Sequence, residues 1–225
     1  MNVNSALISV DVVLFRLNKG TLQILAQKQV FPDGITLLSL PAGRIDPQTD
    51  HCLDDTALRH INNIAPFNVS YYEQVITIGN ARRDSRGWSL TVLYYALTQN
   101  NDAENTPDKA QWVNLVKGLP ETSLAYDHNR LVQQALKRLC NKVQYSTLPA
   151  YLLQQEFTLS DIQKAIYAIL GKRPPMRSIR NRFLRDDILT RTGHLRRGSN
   201  RPAALYYLNE KVQGKLFDRL YLSTQ

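Results

Sequence analysis

Apolar residues in the first 140 positions either alternate with polar ones or form continuous runs, and both patterns are typical of β-strands. An apolar run over 6–17, an Asn-Lys-Gly turn signal at 18–20 and an alternating segment over 22–27 predict a β-hairpin. Three further strands are predicted, over 75–78, 88–97 and 111–115.

Two segments of this region have helical periodicity instead. Apolar residues recur at helical spacing over 53–61, and this helix is expected to end near Pro66, because proline disfavours helical geometry in the residue before it. A second helix is predicted over 127–140. Strands combined with two helices predict an α+β domain over residues 1–145, and the polar segment 141–150 is interpreted as a linker.

The last third of the chain has a different pattern. Ser160 and Gln163 fit a capping box at the start of a helix that Gly171 would end. The Pro-Pro pair that follows fits the first turn of a second helix, predicted over 176–187. Two strands are expected next, over 188–192 and 204–208. Two helices and a hairpin with a basic tip predict a winged helix-turn-helix domain over residues 150–225.

The net charge of the protein is +9, and nearly all of it lies in this last third. Residues 1–150 contain 14 Lys and Arg against 13 Asp and Glu, whereas residues 151–225 contain 14 against 6. A clustered positive charge is typical of a surface that binds nucleic acid or another polyanion. A solvated basic face without a partner is the alternative that charge alone leaves open.

The second helix of the predicted winged helix contains arginine but no lysine. A planar guanidinium matches the O6 and N7 acceptors of guanine, and asparagine matches the N6 and N7 edge of adenine. A hairpin after the helix pair favours double-stranded DNA over RNA. The predicted DNA-binding residues lie on this helix and on the basic loop: Arg177, Ser178, Arg180, Asn181, Arg182, Arg185, Arg196, Arg197 and Arg201.

Composition excludes several other classes of protein. The only two cysteines, Cys52 and Cys140, belong to no CxxC pair, so neither a disulfide framework nor a thiolate zinc site is expected. The chain has no run of 18 or more apolar residues and no secretory signal, so we expect no membrane partner and a cytoplasmic location.

Residues 40–46 and the helix after them resemble the Nudix box, a loop and helix whose glutamates bind the divalent metal of diphosphate hydrolases. The frame is present here, but the glutamates are not. Counting forward from Gly43 places Thr49 at the first glutamate position, and counting back from Arg59 places His51 there. The later glutamate positions hold His60, Asn63 and Ile64.

These residues cannot supply the fully charged oxygen donors that a hard cation requires. We therefore expect no metal, no cofactor and no catalytic residue in this domain. Asp54 and Asp55 lie in the first turn of the helix, where acids stabilise the helix dipole. A metal site relocated to these two aspartates is the alternative.

A Nudix frame without its metal ligands, followed by a winged helix, resembles the Nudix-related transcriptional regulators of NAD metabolism, the NrtR-type repressors. The resemblance extends over most of the chain as an ordered series of motifs, at 40–43, 73–87, 94–97, 124–128, 157–163, 167–171 and 201–206. It implies a homodimeric repressor on a palindromic operator, whose Nudix-like domain senses ADP-ribose or a related metabolite. Members of the wider group respond to sugars such as arabinose, and a sugar is the alternative effector.

An ADP-ribose pocket needs cations for the diphosphate and a flat ring for the adenine. The candidates for these roles are Arg44, Arg82, Arg83 and Arg86 for the diphosphate, and Trp88 or Tyr72 for the base. Arg82 and Arg86 can instead form a salt-bridged loop with Asp84. Trp88 can instead belong to the core, and His128 can cap the helix that it begins.

Three functions are compatible with these patterns: a ligand-gated repressor, a Nudix hydrolase with unusual metal ligands, and a protein-interaction adaptor. The missing acids disfavour the hydrolase. Affinity for random DNA at low salt would separate the repressor from the adaptor. We expect the repressor.

Overall fold

The structure is a computed structural model that describes residues 6–84, 87–99, 106–197, 202–209, 212 and 214–217. The chain divides into two compact units. The first comprises Met1–Arg16 with Gln23–Lys137, and the second comprises Leu17–Leu22 with Arg138–Gln225. Within the described part of the chain, no helix is long and apolar enough to cross a membrane.

The predicted hairpin at the start of the chain is confirmed. Strand β1 spans Leu7–Asn18, and its neighbour β2 spans Thr21–Val30. Lys19 and Gly20 connect them, with φ angles of 47° and 84°. Two central residues with positive φ are what a type I′ turn requires, and its twist matches that of the flanking strands.

Six more strands complete a mixed sheet: β3 (Thr36–Ser39), β4 (Ala42–Arg44), β5 (Val69–Asp84), β6 (Gly87–Thr98), β7 (Ala110–Val116) and β8 (Leu119–Pro120). The strand order is β5-β6-β1-β2-β7-β8, with β3 paired to β2 and β4 paired to β1. Strands β1 and β6 pair in parallel, whereas β5 pairs antiparallel with β6 and β7 with β2. The three strands predicted after the hairpin are confirmed, and each is longer than predicted.

The core of the first unit lies against the centre of this sheet. Alternate residues of β1 and β6 are buried in one cluster: Val10, Val12, Leu14, Val92, Tyr94 and Ala96. Because successive side chains of a strand point to opposite faces, these residues share one face. The predicted helix is confirmed as α1 (Leu53–Asn62), and Ala57 and Ile61 bury its apolar side in the same cluster.

Helix α2 spans His128–Val143, and the division between the two units falls inside it. The prediction of a linker over 141–150 is wrong. Residues 141–143 belong to α2, a 3-10 helix spans Leu148–Leu152, and residues 146–152 are buried. Most of the buried residues are apolar, namely Leu148, Ala150, Tyr151 and Leu152, and the buried Ser146 Oγ donates a hydrogen bond to the Lys142 carbonyl at 2.6 Å.

The second unit has the predicted order of two helices and a hairpin: α3 (Leu159–Leu170), α4 (Met176–Phe183), β9 (Leu189–Arg196) and β10 (Ala203–Leu208). Strands β9 and β10 pair antiparallel. Phe157, just before α3, exchanges two backbone hydrogen bonds with Tyr206 of β10, at 2.9 and 2.8 Å. This is the arrangement of a winged helix.

The start of α3 differs from the prediction. The capping box is formed by Thr158 and Asp161, two residues before the predicted pair of Ser160 and Gln163. The Asp161 backbone N–H donates to Thr158 Oγ1 at 3.2 Å, and the Thr158 N–H donates to Asp161 Oδ2 at 2.9 Å. Gly171 ends the helix as predicted, with a φ of 67° that favours glycine.

Helix α4 ends at Phe183, four residues before its predicted end. Asp186 and Asp187 have φ angles of 55° and 53°, which a right-handed helix does not accommodate. The Asn209 side-chain amide donates to the Asp187 carbonyl at 3.2 Å and stabilises this turn. Arg185 therefore lies beyond the helix.

Candidate functional site

Arg59 of α1 forms a bidentate ion pair with Asp50, which lies in the loop before the helix. Arg59 Nη2 lies 2.6 Å from Asp50 Oδ2, and Arg59 Nε lies 2.7 Å from Asp50 Oδ1. The hydrogen bonds from Arg59 hold the pKa of Asp50 far below its usual range. Arg59 also donates to the Arg44 carbonyl at 3.0 Å and so joins β4 to α1. Counting along the sequence missed Asp50, because it lies between the two predicted positions.

His60 occupies the space in front of Gly43 on β4. A Cβ atom added to Gly43 would lie 2.3 Å from His60 Cε1, so any other residue there would displace the imidazole. His60 Nε2 lies 3.2 Å from the Arg44 carbonyl, which can only accept, so this nitrogen carries the proton. Burial and the neighbouring charge of Arg59 lower the pKa of His60. An imidazole without a full negative charge therefore lies between α1 and β4 at this point.

The two aspartates in the first turn of α1 have partners inside the protein. Asp55 Oδ2 accepts the backbone N–H groups of His51 and Cys52 at 2.9 and 3.2 Å, which caps the helix. The Tyr94 hydroxyl donates to Asp54 Oδ1 at 2.7 Å. Across the ranges that the structure describes, no cluster of three or more His, Cys, Asp and Glu side chains is arranged to hold a metal ion.

A pocket of about 170 Å³ opens in the first unit beside β1, β3 and β4. Its lining comes from strands β1, β2, β3, β4 and β6, from the end of β5 and from the start of α2. The polar and charged lining side chains are Ser9, Asp11, Gln27, Gln29, Ser39, Arg44, Arg83, Asp84, Ser89, Tyr126 and His128. The pocket therefore offers both cations and hydrogen-bonding groups to a ligand.

Asp11 of β1 is the centre of a charged network at this pocket and is only 2% exposed. It accepts from Arg83 at 3.4 Å, from the Thr91 hydroxyl and from His128 Nε2 at 3.2 Å. Arg83 also forms a bidentate ion pair with Asp127, in which Nε lies 2.8 Å from Oδ2 and Nη2 lies 3.0 Å from Oδ1. Burial raises the pKa of Asp11, but the hydrogen bonds from His128 and Thr91 and the charge of Arg83 lower it by more.

His128 is buried between Asp11 and the backbone of Leu40, the residue directly after β3. Its Nδ1 accepts the backbone N–H of Leu40 at 2.9 Å, which leaves Nε2 as the nitrogen that donates to Asp11. The interpretation of His128 as a helix cap is therefore wrong. Its side chain positions Asp11, which sequence analysis did not identify although an aspartate within an apolar strand is the signal for it.

The structure brings two of the predicted effector-binding residues to this pocket. Arg44 and Arg83 line it, whereas Arg82 and Trp88 do not. Arg86 lies outside the described residues. The Trp88 side chain is 48% exposed, so its interpretation as a core residue is wrong. Its ring lies over Gly79 of β5, where an added Cβ would approach it to 2.8 Å.

Tyr126 lines the pocket and was missed by sequence analysis. Its side chain is 57% exposed, and its backbone has a φ of 57° that directs the chain sharply into α2. Gln29 donates to the Tyr126 hydroxyl at 2.8 Å, and the ring lies 5.6 Å from Phe31 and 5.2 Å from His128, centroid to centroid. A partly exposed, supported aromatic ring suits stacking on a flat ligand group.

Helix α4 of the second unit has one buried side and one exposed side. Ile179 and Phe183 are fully buried, whereas Arg177, Arg180 and Asn181 are exposed. Ser178 is half-buried, and Arg185 is exposed in the turn that follows. The described part of this surface therefore presents guanidinium and amide groups in the pattern expected for contact with base edges.

Two other predicted DNA-binding arginines have partners inside the second unit. Arg182 Nη1 donates to the Gln144 carbonyl at 2.9 Å. Arg196 of β9 pairs with Asp161 at 2.6 Å, next to the exposed Arg197. Arg201 lies outside the described residues.

Comparisons with known proteins agree with this architecture. The model of the NrtR DNA-binding winged helix domain matches residues 149–208. The chain is 36% identical over 206 residues to the ADPR responsive transcriptional repressor NtrR of Acinetobacter baylyi, which covers 90% of this chain and 82% of that protein. It is 35% identical to Shewanella oneidensis NrtR in a complex with a 27mer DNA, with a TM-score of 0.85 and coverage of 96% and 99%.

The NUDIX domain of Shewanella oneidensis NrtR in a complex with ADP ribose is 34% identical, with a TM-score of 0.54 and coverage of 61% of this chain and 90% of that one. A Nudix-like mixed sheet with helices, followed by a C-terminal winged helix, defines the class of Nudix-related transcriptional regulators, and the predicted fold is confirmed. The chain belongs to the NrtR family. The resemblance inferred from its motifs is thereby confirmed.

Proposed function

We propose that this protein is a cytoplasmic transcriptional repressor that binds a palindromic operator as a homodimer and is released by ADP-ribose or a related metabolite. The exposed arginine and asparagine side of α4, within the segment that resembles the NrtR winged helix, carries the proposal. Residues 1–145 would sense the effector and form the dimer, and residues 150–225 would bind DNA. The regulated genes would be those of NAD metabolism, as the resemblance implies.

The effector site of the proposal is the pocket around Asp11. Arg44 and Arg83 supply two cations for a diphosphate, since guanidinium groups bind phosphate oxygens with charge-assisted hydrogen bonds. Tyr126 offers a ring for the adenine and replaces Trp88 and Tyr72 in that role. The complex of the Shewanella NUDIX domain with ADP ribose supports this choice of ligand.

Duplex DNA is the proposed partner of the second unit, and its binding is expected to weaken steeply with salt. Log affinity should fall by about 0.9 per neutralised phosphate for each unit of log salt concentration. Asn181→Ala is expected to cost roughly 1–3 kcal/mol on the tightest-binding duplex selected from a random pool, and little on random DNA, because it removes a base contact. Arg197→Ala on the wing should weaken both duplexes equally, because it removes a phosphate contact. Titrations of both duplexes at several salt concentrations measure these effects. If Asn181→Ala, like Arg197→Ala, weakened binding to the selected duplex and to random DNA equally, the assignment of α4 as the reading helix would be contradicted.

We also propose that the Nudix-like domain is not an enzyme. Histidine, asparagine and isoleucine at the glutamate positions do not fit the oxygen donors that a hard divalent cation requires, and Asp50, Asp54 and Asp55 are engaged in other hydrogen bonds. Incubation with ADP-ribose or NADH and magnesium or manganese is expected to release no product. Sustained product release above about one turnover per second, within the usual range of enzymes, would reverse this assignment.

A further inference from the structure

Arg182 differs from the other arginines of α4 in what it contacts. Its guanidinium donates to the Gln144 carbonyl at 2.9 Å and lies 5.4 Å from the centroid of the Phe217 ring. Arg177 and Arg180 on the same helix are exposed. The charge of Arg182 is therefore directed into the second unit, whereas the charges of its neighbours face solvent.

Residues 214–217, which we name the C-terminal strap, hold Phe217 in this position. The Phe217 backbone N–H donates to the Tyr145 carbonyl at 2.6 Å, and the Thr147 N–H donates to the Lys215 carbonyl at 3.1 Å. These bonds attach the strap to the segment that directly follows α2. The strap is thus fixed by its backbone, and its side chains are available to support α4.

The strap contacts α4 at two further points. The Phe217 ring packs edge-on against Phe183, the last residue of α4, with the ring centroids 5.4 Å apart. Lys215 Nζ lies 3.1 Å from Asp186 Oδ2 in the turn after the helix. With the Arg182 hydrogen bond, these contacts fix the C-terminal half of α4 relative to the segment after α2.

We propose that Arg182 is a positioning residue rather than a DNA-contact residue, and that with the C-terminal strap it sets the orientation in which α4 reads DNA. A helix of two turns is marginal by itself, so its orientation depends on the contacts around it. Recognition requires side chains to be held within about 0.5 Å and 10–20° of the productive geometry. This inference rests on the proposed DNA-binding function and goes beyond it.

The test uses the full chain and four variants: Arg182→Ala, Arg182→Lys, Phe217→Leu and Arg180→Ala. Affinity is measured against salt concentration, for the tightest-binding duplex selected from a random pool and for random DNA. Arg182→Ala and Phe217→Leu should lower the affinity for the selected duplex by roughly 5- to 150-fold, as when one base contact is lost. The salt slope and the affinity for random DNA should stay unchanged. Arg180→Ala is the matched comparator: it removes an exposed charge of the same helix, so it should reduce the salt slope, which Arg182→Ala should leave unchanged.

Arg182→Lys distinguishes positioning from phosphate contact. Lysine keeps the charge but lacks the planar fork that bonds Gln144 and covers Phe217 at once, so it should lose affinity as the alanine variant does. Restored affinity in Arg182→Lys, with a salt slope reduced by about 0.9 in Arg182→Ala, would show a phosphate contact and overturn the inference. Unchanged affinity in all variants at Arg182 and Phe217 would overturn it as well.

The experiment also separates this inference from the proposed function. If the wild-type protein selects no duplex from the pool, the proposed function fails. If the wild type binds but the variants behave as phosphate contacts, only the inference fails. Should Arg182→Ala not fold, as judged by thermal unfolding, Arg182→Lys and Phe217→Leu decide the outcome, since both retain most of the side-chain volume.

Discussion

Replacing Asp11 with alanine is expected to lower the free energy of unfolding of the protein by about 3–5 kcal/mol, the usual cost of removing one partner from a buried charged network. Asp11 is 2% exposed, and it accepts from Arg83, Thr91 and His128. Without it, the His128 Nε2 proton has lost its acceptor within a buried site. The loss is a large part of the 5–15 kcal/mol that holds a typical domain folded. Urea unfolding followed by intrinsic fluorescence measures it.

Asp108→Ala is the matched control, because Asp108 is an exposed aspartate of the same unit, and it should change stability by less than about 0.5 kcal/mol. Asp11→Asn tests the charge alone. Because the folded-state pKa of Asp11 lies below its ordinary value of 3.8, the stability that its charge contributes is present above that pH and is lost as the pH falls through the folded-state pKa. The stability difference between wild type and Asp11→Asn should therefore shrink in acid below about pH 4. A difference that grows on acidification would contradict this role of Asp11.

The elements of the fold followed from patterns that act locally. The apolar run along β1, the turn residues Lys19 and Gly20 and the alternation over 22–27 were sufficient for the hairpin, because the conformation of each depends on its neighbours in the chain. Burial of 146–152 was not predictable in this way. The strap residues that contact this segment are more than 60 positions further along the chain, and a segment of seven residues gives no sign of such a distant partner.

In the candidate sites too, contacts between residues distant in sequence could not be predicted from local patterns. Asp50 was missed because counting from the two anchors of the predicted box gave Thr49 and His51, and only the structure shows that Asp50 pairs with Arg59. Arg182 was assigned to DNA because it lies, like Arg180, on the arginine-rich second helix of the predicted winged helix. The contacts that distinguish Arg182 are made to Gln144 and Phe217, which lie 38 and 35 positions away in sequence. Residue type was sufficient to select arginines as candidates for binding DNA. Which of these arginines are engaged within the protein depends on partners that are distant in sequence.

ADP-ribose is expected to weaken binding of the protein to its selected duplex by roughly 5–150-fold, the usual range of coupling between two ligand sites. A ligand shifts an equilibrium only if it binds the two states with different affinities, so DNA must weaken ADP-ribose binding by the same factor. A hinge within 141–150 is not expected, since that segment is helical or buried over most of its length. Helix α2, which belongs to both units and whose first residue lines the pocket, is the element that we expect to respond. Calorimetry measures the affinity for ADP-ribose with and without DNA, and the affinity for DNA with and without ADP-ribose.

Arg44→Ala is the variant that tests the sensor without disturbing the fold. Arg44 is exposed at the pocket, so its loss should remove one charge-assisted hydrogen bond to the diphosphate and weaken ADP-ribose roughly 10- to 150-fold, while DNA affinity without the effector stays unchanged. Arg83→Ala is unsuitable, because it also breaks the pairs with Asp11 and Asp127. Arg130→Ala, an exposed arginine outside the pocket lining, is the matched control and should retain the full response. If calorimetry detects no ADP-ribose binding to the wild type at millimolar concentration, ADP-ribose is not the effector, and a sugar becomes the leading hypothesis for the same pocket.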